Sequence, residues 1–336
     1  MLILGIETSC DETSAGIIHT RNNKLELLSN VVSSSLPLHA LTGGIIPEVA
    51  AREQIKLIIP VISSAIEESK LTMNNIDAIA VTFGPGLLGS LLVGVETAKT
   101  LSFAFNKPLI PVNHLLGHIY ANWIDQNSEI EFPALALIVS GGHTDLVLIK
   151  DHGKIKWLGG TRDDAAGEAF DKIGRLLNLP YPGGPAIEKA ALDGNEKKFN
   201  FPRPMIDSKD FDFSFSGLKT AVLREVQTMK QLSNETISNM CASVQQAIVD
   251  VLVKKTLKAA QRFKVKSILL GGGVAANQKL RDELNSSLII NHSSLRLFAP
   301  AKSLCTDNGA MIAAAAFFND KHVSWSKLSA NPQLYF

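Results

Sequence analysis

Each half of this chain opens in the same way: a short apolar strand, a tight turn, and a second strand running back. Residues 2–6 read as a buried strand, residues 7–14 as a polar turn, and residues 15–19 as the returning strand. From residue 133 the pattern recurs, with a strand over 135–140, the turn Gly141-Gly142-His143, and a strand over 144–150 carrying Leu146 and Leu148. The halves show no close sequence repeat, so the duplication is one of structure. A length of 336 residues is enough for two domains, each with its own core. Further strands are expected over 24–34, 76–83, 109–112 and 267–270. Helices are expected over 47–68, 90–105, 165–177, 237–263, 277–284 and 310–318, with another opened by Tyr181-Pro182-Gly183-Gly184-Pro185.

Composition closes off several classes. Hydrophobic residues make up 46% and charged residues 19%, which fits a packed chain and not a disordered one. A net charge of +1 gives no global electrostatic case for nucleic acid, although a local basic surface stays open. Three cysteines, Cys10, Cys241 and Cys305, lie far apart, which excludes a thiolate zinc site and suits a reducing cytosol. The N-terminus has no basic leader, and residues 312–318 are too short to span a bilayer, so a cytoplasmic protein without a membrane role is expected.

The chemistry concentrates at a histidine pair. His114 and His118, in Asn113-His114-Leu115-Leu116-Gly117-His118, stand four residues apart at the end of the 109–112 strand. On a helix that spacing puts both imidazoles on one face, within reach of one metal ion; packing or capping is the alternative. Asp307, in Thr306-Asp307-Asn308-Gly309, reads first as the N-cap of the last helix. It can also complete a His/His/Asp set if that helix returns to the first domain.

Three turns, at 7–14, 140–144 and 271–276, offer backbone N–H groups at strand ends, as a nucleotide held in an interdomain cleft requires. Gly84, Gly86 and Gly89 match G-x-G-x-x-G in form. The next strand, however, ends in Asn113-His114 and not in the acid that holds a ribose, which argues against dinucleotide binding. The acids of Asp163 to Asp171 either cap and solvate a helix or face a ligand, and Glu188 is either a surface acid or an acceptor for a hydroxyl or amine. For nucleic acid the candidates are the segment from Lys197 to Arg203 and the helix bearing Lys254, Lys255, Lys258, Arg262, Lys264 and Lys266; a solvated face explains the helix equally well.

Taken together, Gly5-Ile6-Glu7-Thr8-Ser9-Cys10-Asp11-Glu12-Thr13, the H-x-x-x-H pair, Val139-Ser140-Gly141-Gly142-His143-Thr144, the segments 163–171 and 181–185, Phe213-Ser214-Phe215-Ser216-Gly217-Leu218-Lys219-Thr220, Gly272-Gly273-Val274-Ala275-Ala276-Asn277 and Cys305-Thr306-Asp307-Asn308-Gly309-Ala310 resemble the bacterial tRNA threonylcarbamoyladenosine transferases, the TsaD family. The resemblance covers nearly the whole chain. It implies an α/β protein of the actin/Hsp70-like (ASKHA) fold, with two RNase H-like lobes around a nucleotide cleft. The lobes are expected at 1–131 with about 305–336, and at 132–304.

The reaction implied is transfer of the threonylcarbamoyl group of L-threonylcarbamoyl-AMP to N6 of adenosine 37 in tRNAs reading codons that begin with A, releasing AMP. One divalent ion per subunit, iron first and zinc second, is implied on His114, His118 and Asp307. Substrate contacts are implied for Val139, Ser140, Gly141, Gly142, His143, Asp171, Gly184, Glu188 and Asn277. Asp11 and Glu12 are the catalytic candidates, with His143 a further possible base. The partners implied are tRNA, an inactive paralogue that dimerises with the enzyme, and a small ATPase.

Two other readings compete. A metalloprotease would use the histidine pair, but Leu115 stands where H-E-x-x-H places its general base. A sugar kinase or regulatory ATP-binding module on the same fold would have no need of the histidines.

Overall fold

The computed structural model describes residues 1–22, 24–42, 44–290, 294–319 and 321–336. The chain divides into two compact units, 1–130 with 300–336, and 131–299.

Unit 1 begins with β1 (Leu2–Glu7), β2 (Glu12–Arg21) and β3 (Lys24–Ser34), then α1 (Leu36–Thr42) and α2 (Pro47–Glu68). It continues through β4 (Ala78–Gly84), α3 (Leu88–Phe105), β5 (Leu109–Asn113) and α4 (His114–Tyr120). Unit 2 holds β6 (Ala134–Val139), β7 (Thr144–Asp151), β8 (Lys154–Gly160), α5 (Ala166–Leu176), α6 (Gly183–Ala191), α7 (Ser216–Thr228), α8 (Asn234–Phe263), β9 (Ser267–Gly271), α9 (Gln278–Ile290) and β10 (Arg296–Phe298). The chain then returns to unit 1 for α10 (Gly309–Phe318).

The two sheets have one topology. In unit 1 the strand order is β3-β2-β1-β4-β5, and in unit 2 it is β8-β7-β6-β9-β10. In each, the first three strands are antiparallel and the last two run parallel to the first. The duplication seen only as a hairpin pattern in the sequence therefore extends to all five strands. The expected helix at 237 starts three residues earlier, where Ser233 accepts from Thr236 N and caps it. Strands β8 and β10 and helices α1 and α7 were not foreseen.

Alternation along the strands of unit 1 divides its core. Ile3, Ala78 and Ala80 face α10 and α4, while Leu4, Ile6, Ile79 and Val81 face α2 and α3. Among the described residues α3 is the one helix long and apolar enough to cross a bilayer. It is docked instead through Gly94, where a Cβ would come 2.3 Å from Thr8 Oγ1. The seam under α10 is as tight, and there the neighbours are backbone. A Cβ on Gly5 would lie 2.1 Å from the Gly309 carbonyl oxygen, and one on Gly16 2.4 Å from Ala310 N. Only hydrogen at those Cα atoms lets the helix lie on the sheet, and its first N–H groups donate to Ser14 Oγ and Asn30 Oδ1.

Candidate metal centre

Strands β1, β4 and β5 are parallel, so their carboxyl ends Glu7, Gly84 and Asn113 share one edge of the sheet. At that edge the Asn113 side chain accepts from Leu115 N and caps α4. The helix therefore begins at His114, and His118 follows one turn later on the same face. Both imidazoles are buried, with ring centroids 4.6 Å apart.

The third member arrives with α10. Asn308 caps that helix by accepting from Met311 N, which leaves Asp307 outside the cap. Its Oδ1 lies 3.3 Å from His118 Nε2 and 3.6 Å from His114 Nε2. Separations of about 3.3–3.6 Å are the edges of a tetrahedron with bonds of roughly 2.0–2.2 Å, the lengths at which imidazole and carboxylate hold zinc. One ligand atom from each of the three side chains falls within 4.8 Å of the others. Neither ring nitrogen of the buried His118 makes a hydrogen bond. Buried imidazoles are ordinarily satisfied, so the orphaned ring is one that fits a metal ion.

Acids crowd this edge. Glu7 is fully buried, and its Oε2 lies 3.1 Å from His114 Nδ1 and accepts from Thr82 Oγ1. Ser9 Oγ stands 3.1 Å from the same Nδ1. Burial alone would pull the His114 pKa down, but the Asp307 and Glu7 charges and the Glu7 hydrogen bond outweigh it and push the value up to about 9. Glu12 is pushed up to about 10, first by burial, then by Asp307 and Asp11 and a hydrogen bond with Asp11. Burial, then Asp11 and Asp307, raise the Cys10 thiol as well. Gln54 fixes the turn by donating to the Cys10 and Glu12 carbonyls. With Glu7 and Asp307 against His114, and Asp307 against His118, the pocket favours a cation.

The candidate substrate residues lie in unit 2, joined neighbour to neighbour. Val139 ends β6, and the following turn closes through Ser140 N to His143 O at 2.8 Å. A Cβ on Gly141 or Gly142 would meet nothing within 4 Å, so the turn presents open backbone. Gly167 packs on Ser140, and Asp171 Oδ1 accepts from Gly183 N, beside Gly184, at 2.7 Å. Glu188 Oε1 accepts from Gln278 N, and Asn277 caps α9 at Leu280 N while donating to Gln245. Gly272 has φ +88°, where a Cβ would come 2.4 Å from the Val139 carbonyl oxygen.

The profile of the TsaD family, tRNA N6-adenosine threonylcarbamoyltransferase, matches residues 26–314. The chain belongs to the TsaD family. A relative of that name from Syntrophomonas wolfei is 50% identical over 330 residues, covering 98% of this chain and 96% of the relative. One from Listeria welshimeri is 49% identical over 337 residues, covering 99% and 96%. Among solved structures, full-length HypF in its phosphate- and nucleotide-bound form aligns with a TM-score of 0.62 at 12% identity. It covers 95% of this chain and 46% of HypF. HypF from T. kodakarensis gives 0.60 at 16% identity, with coverages of 95% and 47%. The chain thus spans a little under half of each HypF, and the likeness concerns the fold, which is the ASKHA type.

Within this TsaD chain other sequence candidates take structural roles. Gly84 faces the Asn331 carbonyl and Gly86 that of Ser9, so backbone fills the glycine turn and leaves no cradle for a phosphate there. Asp163 accepts from Ser214, Phe215 and Ser216 at the start of α7, and Asp164 and Glu168 pair with Lys172. The basic face of α8 is largely committed: Lys254 pairs with Asp207, Lys255 is buried against Ser208 and Asp210, and Lys258 donates to the Ser208 carbonyl. Lys266, past the helix, pairs with Glu131, and Arg203 with Asp250. Leu115, where a protease base would stand, is core. Sequence reasoning missed Glu7, Ser9, Thr82 and Gln54; the available signal was an acid ending an otherwise apolar strand.

Proposed function

We propose that the protein transfers a threonylcarbamoyl group from L-threonylcarbamoyl-AMP to N6 of adenosine 37 in tRNAs reading codons that begin with A. In this reading it acts in the cytoplasm, with one iron or zinc ion on His114, His118 and Asp307. The observation that carries it is the convergence of these three side chains in a chain half identical, along nearly its full length, to enzymes of that name.

The ion supplies Lewis acidity toward the phosphate or carbamoyl oxygens of the donor. The chain's own residues do the rest. The N–H groups of Gly141 and Gly142, where the turn is open, bind the donor and stabilise developing oxyanion charge. Asp171 and Glu188 each hold the backbone that begins a helix, Gly183 for α6 and Gln278 for α9, and so position the small residues that admit an adenylate. Glu12, with its pKa near 10, keeps a proton on its carboxyl at neutral pH in the metal-free protein.

A paralogous protein partner and a small ATPase complete the reading. Exposed Ile55 and Ile59 on α2 and Leu88 and Leu92 on the neighbouring α3 support it, since clustered apolar side chains on a surface mark a protein contact.

Incubation with threonylcarbamoyl-AMP, unmodified tRNA and the partner proteins should yield modified adenosine 37, and Asp307→Ala should lose both product and bound metal. Absence of product from the unsubstituted protein would overturn the assignment.

A further inference from the structure

We propose that Glu7 is the positioning residue of the metal centre, holding His114 through Nδ1 so that Nε2 is the nitrogen presented to the ion. The inference rests on reading His114, His118 and Asp307 as ligands, and extends that reading to a side chain touching neither ion nor substrate.

The placement of Glu7 is costly unless it has such a task. It ends β1, the central strand of its sheet, at 0% exposure, where the preceding residues are Ile3, Leu4, Gly5 and Ile6. A carboxylate buried there without a positively charged partner is strongly disfavoured. Among the described residues no lysine or arginine pairs with it. Oε1 accepts from Ser9 N at 2.5 Å, and Oε2 faces Thr82 Oγ1 and His114 Nδ1. The imidazole is therefore its one route to positive charge among these contacts, either on the ring or through the ring to a cation.

The geometry also assigns the nitrogens. With Nδ1 turned to Glu7 at 3.1 Å, the opposite nitrogen, Nε2, is the one turned to Asp307 at 3.6 Å. A proton held on Nδ1 by the carboxylate fixes the tautomer whose lone pair lies on Nε2, and the nearby charge makes that lone pair more basic. His118 has no counterpart, since its Nδ1 makes no hydrogen bond. The two imidazoles are thus unequal: His114 is anchored from behind, and His118 is held by packing.

The test titrates metal-stripped protein with Zn²⁺ against a chromophoric chelator, comparing the unsubstituted chain, Glu7→Gln and Thr82→Val. Glu7→Gln keeps the shape and removes the charge, and its affinity should fall about 10–100-fold, the usual loss when a ligand's carboxylate partner is removed. Thr82→Val takes a different partner from the same carboxylate while sparing His114, and should change affinity less than about threefold. In the zinc-loaded unsubstituted protein, ¹H–¹⁵N correlation should find the His114 proton on Nδ1; this readout stands even if Glu7→Gln fails to fold. Unchanged affinity in Glu7→Gln, an equal loss in Thr82→Val, or metal on Nδ1 would each overturn the role of Glu7. Failure of the unsubstituted chain to bind zinc at all would instead overturn the ligand set beneath it.

Discussion

Asp307 reaches the histidines only because α10 lies against bare backbone, so one methyl group placed under that helix should disturb the metal centre from a distance. In Gly16→Ala the new Cβ would stand 2.4 Å from Ala310 N and 2.8 Å from Ala310 Cα. Ordinary carbon contacts begin near 3.5 Å, so the start of α10 must retreat by roughly 1 Å. Backbone on both sides rules out relief by a rotamer change, and the overpacking should cost about 1–3 kcal/mol. Asp307 lies three residues before Ala310 and travels with it, whereas metal sites tolerate only about ±0.2 Å in their bonds. Zinc affinity should therefore fall by at least about tenfold, and Tm by several degrees, at about 2–4 °C per kcal/mol for a domain of this size. Gly117→Ala is the control. There the nearest atoms to the Cβ are Ile312 Cδ1 at 2.8 Å and Met311 Cγ and Cε at 3.2 Å and 3.4 Å, side-chain atoms that can give way where backbone cannot. Chelator-competition titration and calorimetry on both variants decide the matter. Gly16→Ala binding zinc as tightly as the unsubstituted protein would show that α10 docking does not set the position of Asp307.

Other outcomes follow from the same geometry. The His114 pKa, raised to about 9 from the ordinary 6.5, means that metal-free protein carries a proton there at pH 7. The stability this contributes is fully present below pH 6.5 and lost as pH rises through 9, so the Tm of metal-free protein should decline across that window. Zinc binding at pH 7 should release about one proton, with affinity rising up to tenfold per pH unit; an affinity flat from pH 7 to 8.5 would contradict this. Glu188→Ala removes an acceptor from the first turn of α9 and should cost about 1 kcal/mol in a thermal melt, even without substrate. Ile59→Asp, at a side chain 56% exposed, should leave Tm unchanged yet weaken association with the paralogous partner proposed above at least tenfold by calorimetry.

What could be read in advance was local. The histidine helix needs only its four-residue spacing and the asparagine before it, and all of that lies within six residues. The duplicated hairpins needed only period-two patterning. Asp307 was harder, because Asp307-Asn308-Gly309 offers two adjacent residues equally able to cap a helix. Only the docking of α10 shows that Asn308 takes the cap. Glu7 was harder again, since its partners Thr82 and His114 lie 75 and 107 positions away. Strand β8 escaped because it is an edge strand that buries only its last two residues, Gly159 and Gly160, and so lacks a buried alternation. Helix α7 escaped because it buries only Leu218 and Val222, and its cap, Asp163, lies more than fifty residues upstream. The basic run on α8 looked available for phosphate because the acids that neutralise it come from another segment, around residues 207–210.

The repeated topology sets off what the two units do differently. The first hairpin turn of unit 1 is packed and acidic: it carries Glu7, Asp11 and Glu12, Asp307 raises the pKa of Cys10 and Glu12, and Gln54 locks the backbone from below. The equivalent turn of unit 2 carries two glycines with open space where side chains would be, and its neighbouring acids, Asp171 and Glu188, are spent on backbone N–H groups. A turn crowded with carboxylates repels phosphate and attracts a cation, while a turn that leaves the Gly141 and Gly142 backbone open does the reverse. One five-stranded frame, used twice, has thus been given opposite electrostatic characters at the same point in its topology. The residue that completes the cationic site, Asp307, belongs to the segment by which the chain returns to its first unit, so the site forms only after all of unit 2 has been traversed.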